Sequence, residues 1–240
     1  NSRIKPATRL RPAARLLDGA GRAVNLADFA ISPRRDAPEP PVIAVLGTAM
    51  NSGKTLATAQ LVLGLRRAGF RVGAIKATGT GAFGDTNEYS DSGAHYVCDF
   101  TDAGMVTTYR EPLGRIRSAT RALIAEAGAQ GCDIVVMEVA DGLLQCETAA
   151  LIADPWFKAS ISGLVFACGD AVAAAGGVSI LTCRGLHPDA LTGMLSCSPM
   201  AGAEAEEATG LPVLSKEDLA DPAEATGFAL RAGLGRKEAA

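Results

Sequence analysis

The chain has 240 residues, 48% of them hydrophobic and 20% charged, with a formal net charge of −3. That length suits one main domain with a sizeable core, and the balance excludes both a disordered polyelectrolyte and a strongly basic nucleic-acid binder. Small metabolites are therefore the expected partners, with no nucleic acid and no membrane. The longest weakly polar stretch, Ala171 to Cys183, contains two glycines and falls short of the roughly 20 residues a bilayer requires. No signal sequence opens the chain, and Asn1 in first position suggests a trimmed N-terminus, so a soluble cytoplasmic protein is expected. Six cysteines without a C-x-x-C pair read as reduced, buried thiols. The two histidines, His95 and His187, read as loop or surface residues.

In chain order, residues 1–41 stand apart. They are basic, end in "SPRRDAPEPP", and read as an arm with a hairpin around Asp18-Gly19 and a proline-rich linker. From Val42 onward, short apolar runs alternate with helical patterns, the organisation of an α/β domain with a mainly parallel sheet flanked by helices. "VIAVLG" (42–47) is continuously apolar and reads as a strand buried on both faces. "KTLATAQLVLGLRRAGF" (54–70) reads as a helix ending near Gly69. "RVGAIKA" (71–77) is a second strand, and "RIRSATRALIAEAGAQG" (115–131) a second long helix. "DIVVMEVADG" (133–142) is a strand with acids at its end. Further strands are read at 161–168 and 178–185, then a helix, then a last strand at 211–215.

Between the first strand and first helix lies "GTAMNSGKT" (47–55). A buried strand that runs through a glycine-bearing turn into a helix aims backbone N–H groups and the positive helix end at one point, where phosphate is the natural occupant. Gly53 permits close approach, Lys54 supplies charge at the outer phosphates, and the Thr55 hydroxyl is placed to ligate Mg²⁺. Counting back four residues from Gly53 reaches Thr48 rather than Gly47, so the strict G-x-x-x-x-G-K-[ST] pattern is missed by one position. The candidate nucleotide-binding residues are Gly47, Thr48, Asn51, Ser52, Gly53, Lys54 and Thr55.

Four apolar residues carry "DIVVMEVADG" to Glu138 and Asp141 at the carboxyl edge of the sheet, where ligands of open α/β sheets bind. Glu138 should face the metal. The stretch 77–110 is polar and glycine-rich and reads as an irregular substrate-binding or gating loop. Three of its aspartates, Asp85, Asp91 and Asp99, compete for a metal role, and Arg110, Arg115 and Arg117 follow as candidate anion contacts.

"GTAMNSGKT" and "VVMEVADGLL" resemble "GTDTEVGKT" and "VLVEGAGGLL" of dethiobiotin synthetases, and the order of elements agrees over residues 42–215. This resemblance implies that Glu138 binds Mg²⁺, that Asp91 is an additional Mg²⁺-binding residue, and that Lys76, matching the lysine of that family's "YKPV", helps hold the substrate and transferring phosphate. It also implies an ATP-dependent enzyme with Lys54 and Lys76 as catalytic residues and a small carboxylate-bearing acceptor. By position, Thr182 and Cys183 fall where those enzymes have an adenine-contacting Asn. No Asn-Lys-x-Asp stretch specific for GTP is present. "RVGAIKATGTG", "CDFTDAG" and the two motifs above are also similar to the P-loop domain of the D-glutamate N-acetyltransferase family, which implies acetyl-CoA as the alternative cofactor. A third reading is a nucleotide-dependent switch or accessory protein, homodimeric as many relatives of this P-loop type are.

Overall fold

The computed structural model describes residues 11–32, 34 and 36–235; part of the N-terminal arm read from the sequence lies outside the described residues. The centre is a six-stranded sheet in the order β3-β2-β4-β1-β5-β6. Its strands are β1 Val42–Gly47, β2 Val72–Thr78, β3 Tyr96–Asp99, β4 Ile134–Val139, β5 Gly163–Ala167 and β6 Ala190–Thr192, and every pairing is parallel. The helices are α1 Lys54–Arg67, α2 Phe83–Asp91, α3 Leu113–Ala129, α4 Cys146–Ala153, α5 Pro155–Ser160, α6 Ala171–Cys183, α7 Pro199–Thr209, α8 Lys216–Leu219 and α9 Pro222–Arg231.

The continuous apolar character of β1 follows from burial on both faces. Val42, Ala44 and Leu46 pack with α3, α4, α6 and α7 through residues such as Leu123, Leu151, Leu181 and Ala205. Ile43 and Val45 pack on the opposite face with Leu61 and Leu65 of α1, Tyr89 of α2 and Phe228 of α9. Each large side chain so buried contributes about 1.5–3 kcal/mol relative to exposure, and this fixes the strand ends on which the site is built. After β1 the chain crosses to β2, returns to β4, and only then proceeds to β5. The reversal leaves a crevice at the carboxyl ends of β1 and β4.

Three expectations are corrected. Residues 178–183 belong to a helix and 184–185 to the turn that ends it: α6 is capped by the Asp170 side chain, which accepts from the Ala173 amide, and it buries Ala174, Gly177 and Leu181 at helical spacing. The stretch 211–215 makes only a single parallel bridge, Leu191↔Val213, because Pro212 has no N–H to give to a ladder; the last true strand is the three-residue β6. The stretch 77–110 is not an irregular loop, since it contains α2 and the edge strand β3.

In the arm, Asp18 and Arg22 close a tight turn with a single antiparallel bridge, Leu17↔Ala23. Further along, the Ile31 amide donates to the Asp102 carbonyl at 2.8 Å, and Arg34 pairs with Glu126 of α3 at 2.8 Å. All six cysteines are free; Cys98, Cys132 and Cys168 are buried, whereas Cys146, Cys183 and Cys197 are exposed. His95 and His187 are both exposed.

Candidate functional site

The turn between β1 and α1 is shaped by backbone that only certain residues tolerate. Asn51 has φ 62° and Gly53 φ 101°, left-handed values that Asn and Gly accept at least cost. A Cβ on Gly53 would also approach the Gly193 Cα to 2.9 Å, so the turn packs directly on the loop after β6. Gly47 is required for a different reason: a side chain there would overlap Ser52 Oγ and approach Lys54 Cγ to 2.8 Å. The glycine at the strand end therefore makes room for the lysine stem to fold back across it, which accounts for a glycine one position earlier than the strict pattern places it.

No side chain caps the start of α1, and the first amides of a helix have no intrahelical partner. Ser52 is 3% exposed, and its hydroxyl has no hydrogen-bond partner among the described residues. Lys54 is 6% exposed and donates from Nζ to the Ala49 carbonyl at 2.8 Å. Burial pushes its pKa below the 10.5 of a free lysine, an effect opposed by the nearby Glu138 and Asp141. An uncapped helix start, an orphaned hydroxyl and a desolvated cation together suit a multiply charged anion.

Opposite this turn, the strand register sets Lys76 of β2 and Val45 of β1 on either side of Glu138 in β4. Lys76 Nζ lies 3.8 Å from Glu138 Oε1 and is paired with Asp85 of α2. Asp85 also accepts from the Thr55 hydroxyl at 3.2 Å, and the fully buried Tyr89, one turn further along α2, donates its hydroxyl to Glu138 Oε2. Burial, and then the adjacent Glu138 carboxylate, hold the Tyr89 pKa well above that of a free phenol, so it remains a donor into the alkaline range. Burial and the neighbouring Asp85 and Glu138 likewise raise the Glu88 pKa. Lys54, Thr55, Lys76, Asp85, Glu138 and Asp141 thus line one cleft of about 540 Å³.

Among the residues singled out from sequence, the structure brings Asn51, Gly53, Lys54, Thr55, Lys76, Asp85, Glu138 and Asp141 to this cleft; Gly47, Thr48 and Ser52 build the turn beneath it. Asp91 is not brought to it, because it sits at the exposed end of α2; the acid beside Thr55 is Asp85. Asp99 faces a different cleft. Arg115 pairs with Glu111 and Arg117 with Asp154, Arg110 is exposed, and so are Thr182 and Cys183 on α6. Tyr89 was not found from sequence; its position four residues after Asp85 on one helix face was the available signal, hidden while α2 was read as loop.

A Mg²⁺ ion fits this donor set only with help from a ligand. Among the described residues no group of three or more His, Cys, Asp or Glu is arranged to hold a metal ion. The Thr55 hydroxyl with Asp85 or Glu138 supplies hard oxygen donors of the kind Mg²⁺ accepts beside phosphate oxygens and water.

No family model matches the chain, and no curated protein matches it. Solved structures do. The signal recognition particle 54 kDa protein from Aeropyrum pernix K1, in complex with GDP, superposes with a TM-score of 0.52 at 18% identity, over 85% of this chain and 48% of that one. The signal recognition particle receptor FtsY from Elizabethkingia anophelis gives 0.49 at 14% identity, over 85% and 68%. The chain therefore spans about half the length of the first of these proteins. The fold is that of a P-loop NTPase, an all-parallel sheet flanked by helices. Among the described residues, no helix is long and apolar enough to cross a membrane.

Proposed function

We propose that the chain is a Mg²⁺-dependent nucleotide-binding enzyme that transfers a phosphoryl group to a small polar, carboxylate-bearing metabolite, with ATP as donor. The observation that carries this reading is the convergence of the uncapped start of α1, with Lys54 and Thr55, on Lys76, Asp85 and Glu138 in one cleft. The GDP complex of the structural neighbour and the missing Asn-Lys-x-Asp stretch pull in opposite directions on the base; the sequence favours ATP.

In this reading the amides of the turn and Lys54 bind the outer phosphates, and charge-assisted bonds from a buried lysine give orientation as well as affinity. Lys76, already flanked by Asp85 and Glu138, offsets charge on the transferring group. Tyr89 and Lys76 hold the two oxygens of Glu138, which fixes the carboxylate in one orientation. Bound Mg²⁺ supplies charge neutralisation at the phosphates. The base is assigned to a hollow of about 220 Å³ beside the first turn of α1, lined by Leu56, Met194, Ser196, Cys197 and Glu217. There the hydroxyls of Ser196 and Thr192 have donated to the backbone, which leaves acceptor lone pairs of the kind an exocyclic amino group on the base requires.

Thermal-shift measurement with Mg·ATP, Mg·GTP and acetyl-CoA tests the assignment. Mg·ATP should give the largest rise in melting temperature, since a ligand at 100 times its Kd adds about 2.7 kcal/mol. A larger rise with acetyl-CoA, independent of Mg²⁺, would replace this reading with an acyltransferase. Binding without turnover of any metabolite would favour a switch or accessory protein.

A further inference from the structure

Two lysines line the phosphate cleft, and both are committed. Lys54 closes on the turn, and Lys76 is held by Asp85 and Glu138. The other charged lining residues are Asp85, Glu88, Glu138 and Asp141, with no arginine or histidine among them. A carboxylate on the acceptor is repelled by such a wall unless a further cation receives it. We infer that this cation is Arg110, which stands at the mouth of the cleft and selects the acceptor by pairing with its carboxylate, an assignment that rests on the phosphoryl-transfer reading above for the identity of the ligand.

The segment 107–110 is pinned to both strands that border this mouth. On the β2 side, the Thr108 amide donates to the Gly79 carbonyl at 2.9 Å, the Thr108 hydroxyl accepts from the Gly79 amide at 2.9 Å, and Thr107 forms a bridge to Thr80. On the β4 side, the Arg110 amide donates to Glu147 Oε1 in the first turn of α4. Gly79 and Thr80 line the cleft just beyond β2, and Ala140 and Asp141 just beyond β4. Arg110 is therefore suspended between two lips of one opening. Because β2 lies beyond β4 from β1, this is the end of the cleft left for an acceptor once the turn after β1 holds phosphate.

The backbone of Arg110 has φ 62°, a left-handed value that glycine adopts at least cost. Strained residues of this kind persist where the surroundings over-determine them and cluster at ligand clamps. Packing gives no reason for an arginine here, since the residue is exposed. Among the described residues its guanidinium has no ion-pair partner and lies over the Tyr109 ring, 5.6 Å from the centroid. Glu147 feels its charge at longer range, but the two Glu147 oxygens are taken by the Arg110 amide and the Gln145 side chain. An arginine resting on an aromatic face keeps its planar fork of N–H donors free for a carboxylate.

Titration of the full chain with pentanoate, followed by NMR of the backbone amides and the arginine Nε–H groups, tests the assignment. Saturable shifts are expected at Arg110 Nε–H and at the amides of residues 79, 80 and 107–110, with no such response to n-pentylamine or 1-pentanol. Arg110→Gly relieves the left-handed backbone, so it should melt no lower than the wild type while binding pentanoate about tenfold more weakly, the factor that ~1.4 kcal/mol gives. Arg110→Lys keeps the charge without the fork and should recover part of that affinity. If Arg110→Gly does not fold, Arg110→Gln carries the same expectation for pentanoate. The inference is overturned if pentanoate gives no saturable shift at these positions, if pentylamine gives the same shift, or if the variant without the charge binds pentanoate as the wild type does. The titration needs no nucleotide, so its failure leaves the phosphate site standing, and a failure of nucleotide binding leaves the carboxylate response standing.

Discussion

Lys54→Ala is expected to lower nucleoside triphosphate affinity by about 10²–10³-fold and to abolish turnover, as the loss of one charge-assisted contact of ~3–4 kcal/mol implies. The fold should survive. The lysine stem lies against Gly47, but among the described residues its ammonium bonds to the Ala49 carbonyl and to no carboxylate, so the variant removes a buried charge without leaving a carboxylate stranded. Titration calorimetry and a thermal melt separate the two effects. The pH dependence follows from burial: with its pKa held below 10.5, Lys54 loses its proton at lower pH than a solvent lysine. Nucleotide affinity in the wild type should therefore fall as pH rises through that lowered value, and a bound polyanion should raise the pKa again, so binding takes up protons there. A flat affinity across that range would show that Lys54 is not the phosphate cation.

Glu138→Gln should leave triphosphate affinity within a few-fold and reduce turnover by about 10²-fold or more, the range seen when one electrostatic or proton-transfer group is lost. Its site is nearly sealed, at 2% exposure, and its two oxygens are engaged by Lys76 and Tyr89. Gln presents an amide N–H₂ where one acceptor stood, so either Lys76 or the Tyr89 hydroxyl loses its partner. Tyr89→Phe tests the same carboxylate from the other side. It should cost about 1 kcal/mol of stability and shift the Mg²⁺ concentration for half-maximal turnover, which a purely packing role for Tyr89 would not move. Unchanged turnover in Glu138→Gln would remove the acid from the mechanism.

Much of this site was legible in the sequence because the elements beneath it bury both faces. "VIAVL" and "IVVM" are continuous apolar runs, and such short runs are read correctly as central parallel strands. The consequence, Lys54 facing Lys76 and Glu138, follows from strand ends alone. The stretch 178–185 failed for the converse reason: an apolar run of this length fits a strand or a buried helix equally, and the Asp170 cap that decides for α6 lies outside it. β6 was missed because three residues carry no period. Asp85, Asp91 and Asp99 stayed in competition, with Asp91 preferred only through the resemblance, because α2, short and polar, shows little apolar periodicity, and without the helix the six-residue offset between Asp85 and Asp91 could not be placed against Thr55.

The most direct measurement is a crystal structure of the chain with Mg²⁺ and a non-hydrolysable ATP analogue. The account predicts the outer phosphates within hydrogen-bond distance of the amides of residues 51–55, with Lys54 Nζ turned from the Ala49 carbonyl to a phosphate oxygen and the metal bound to Thr55 Oγ1. Phosphates lodged elsewhere, with Lys54 still closed on Ala49, would contradict it.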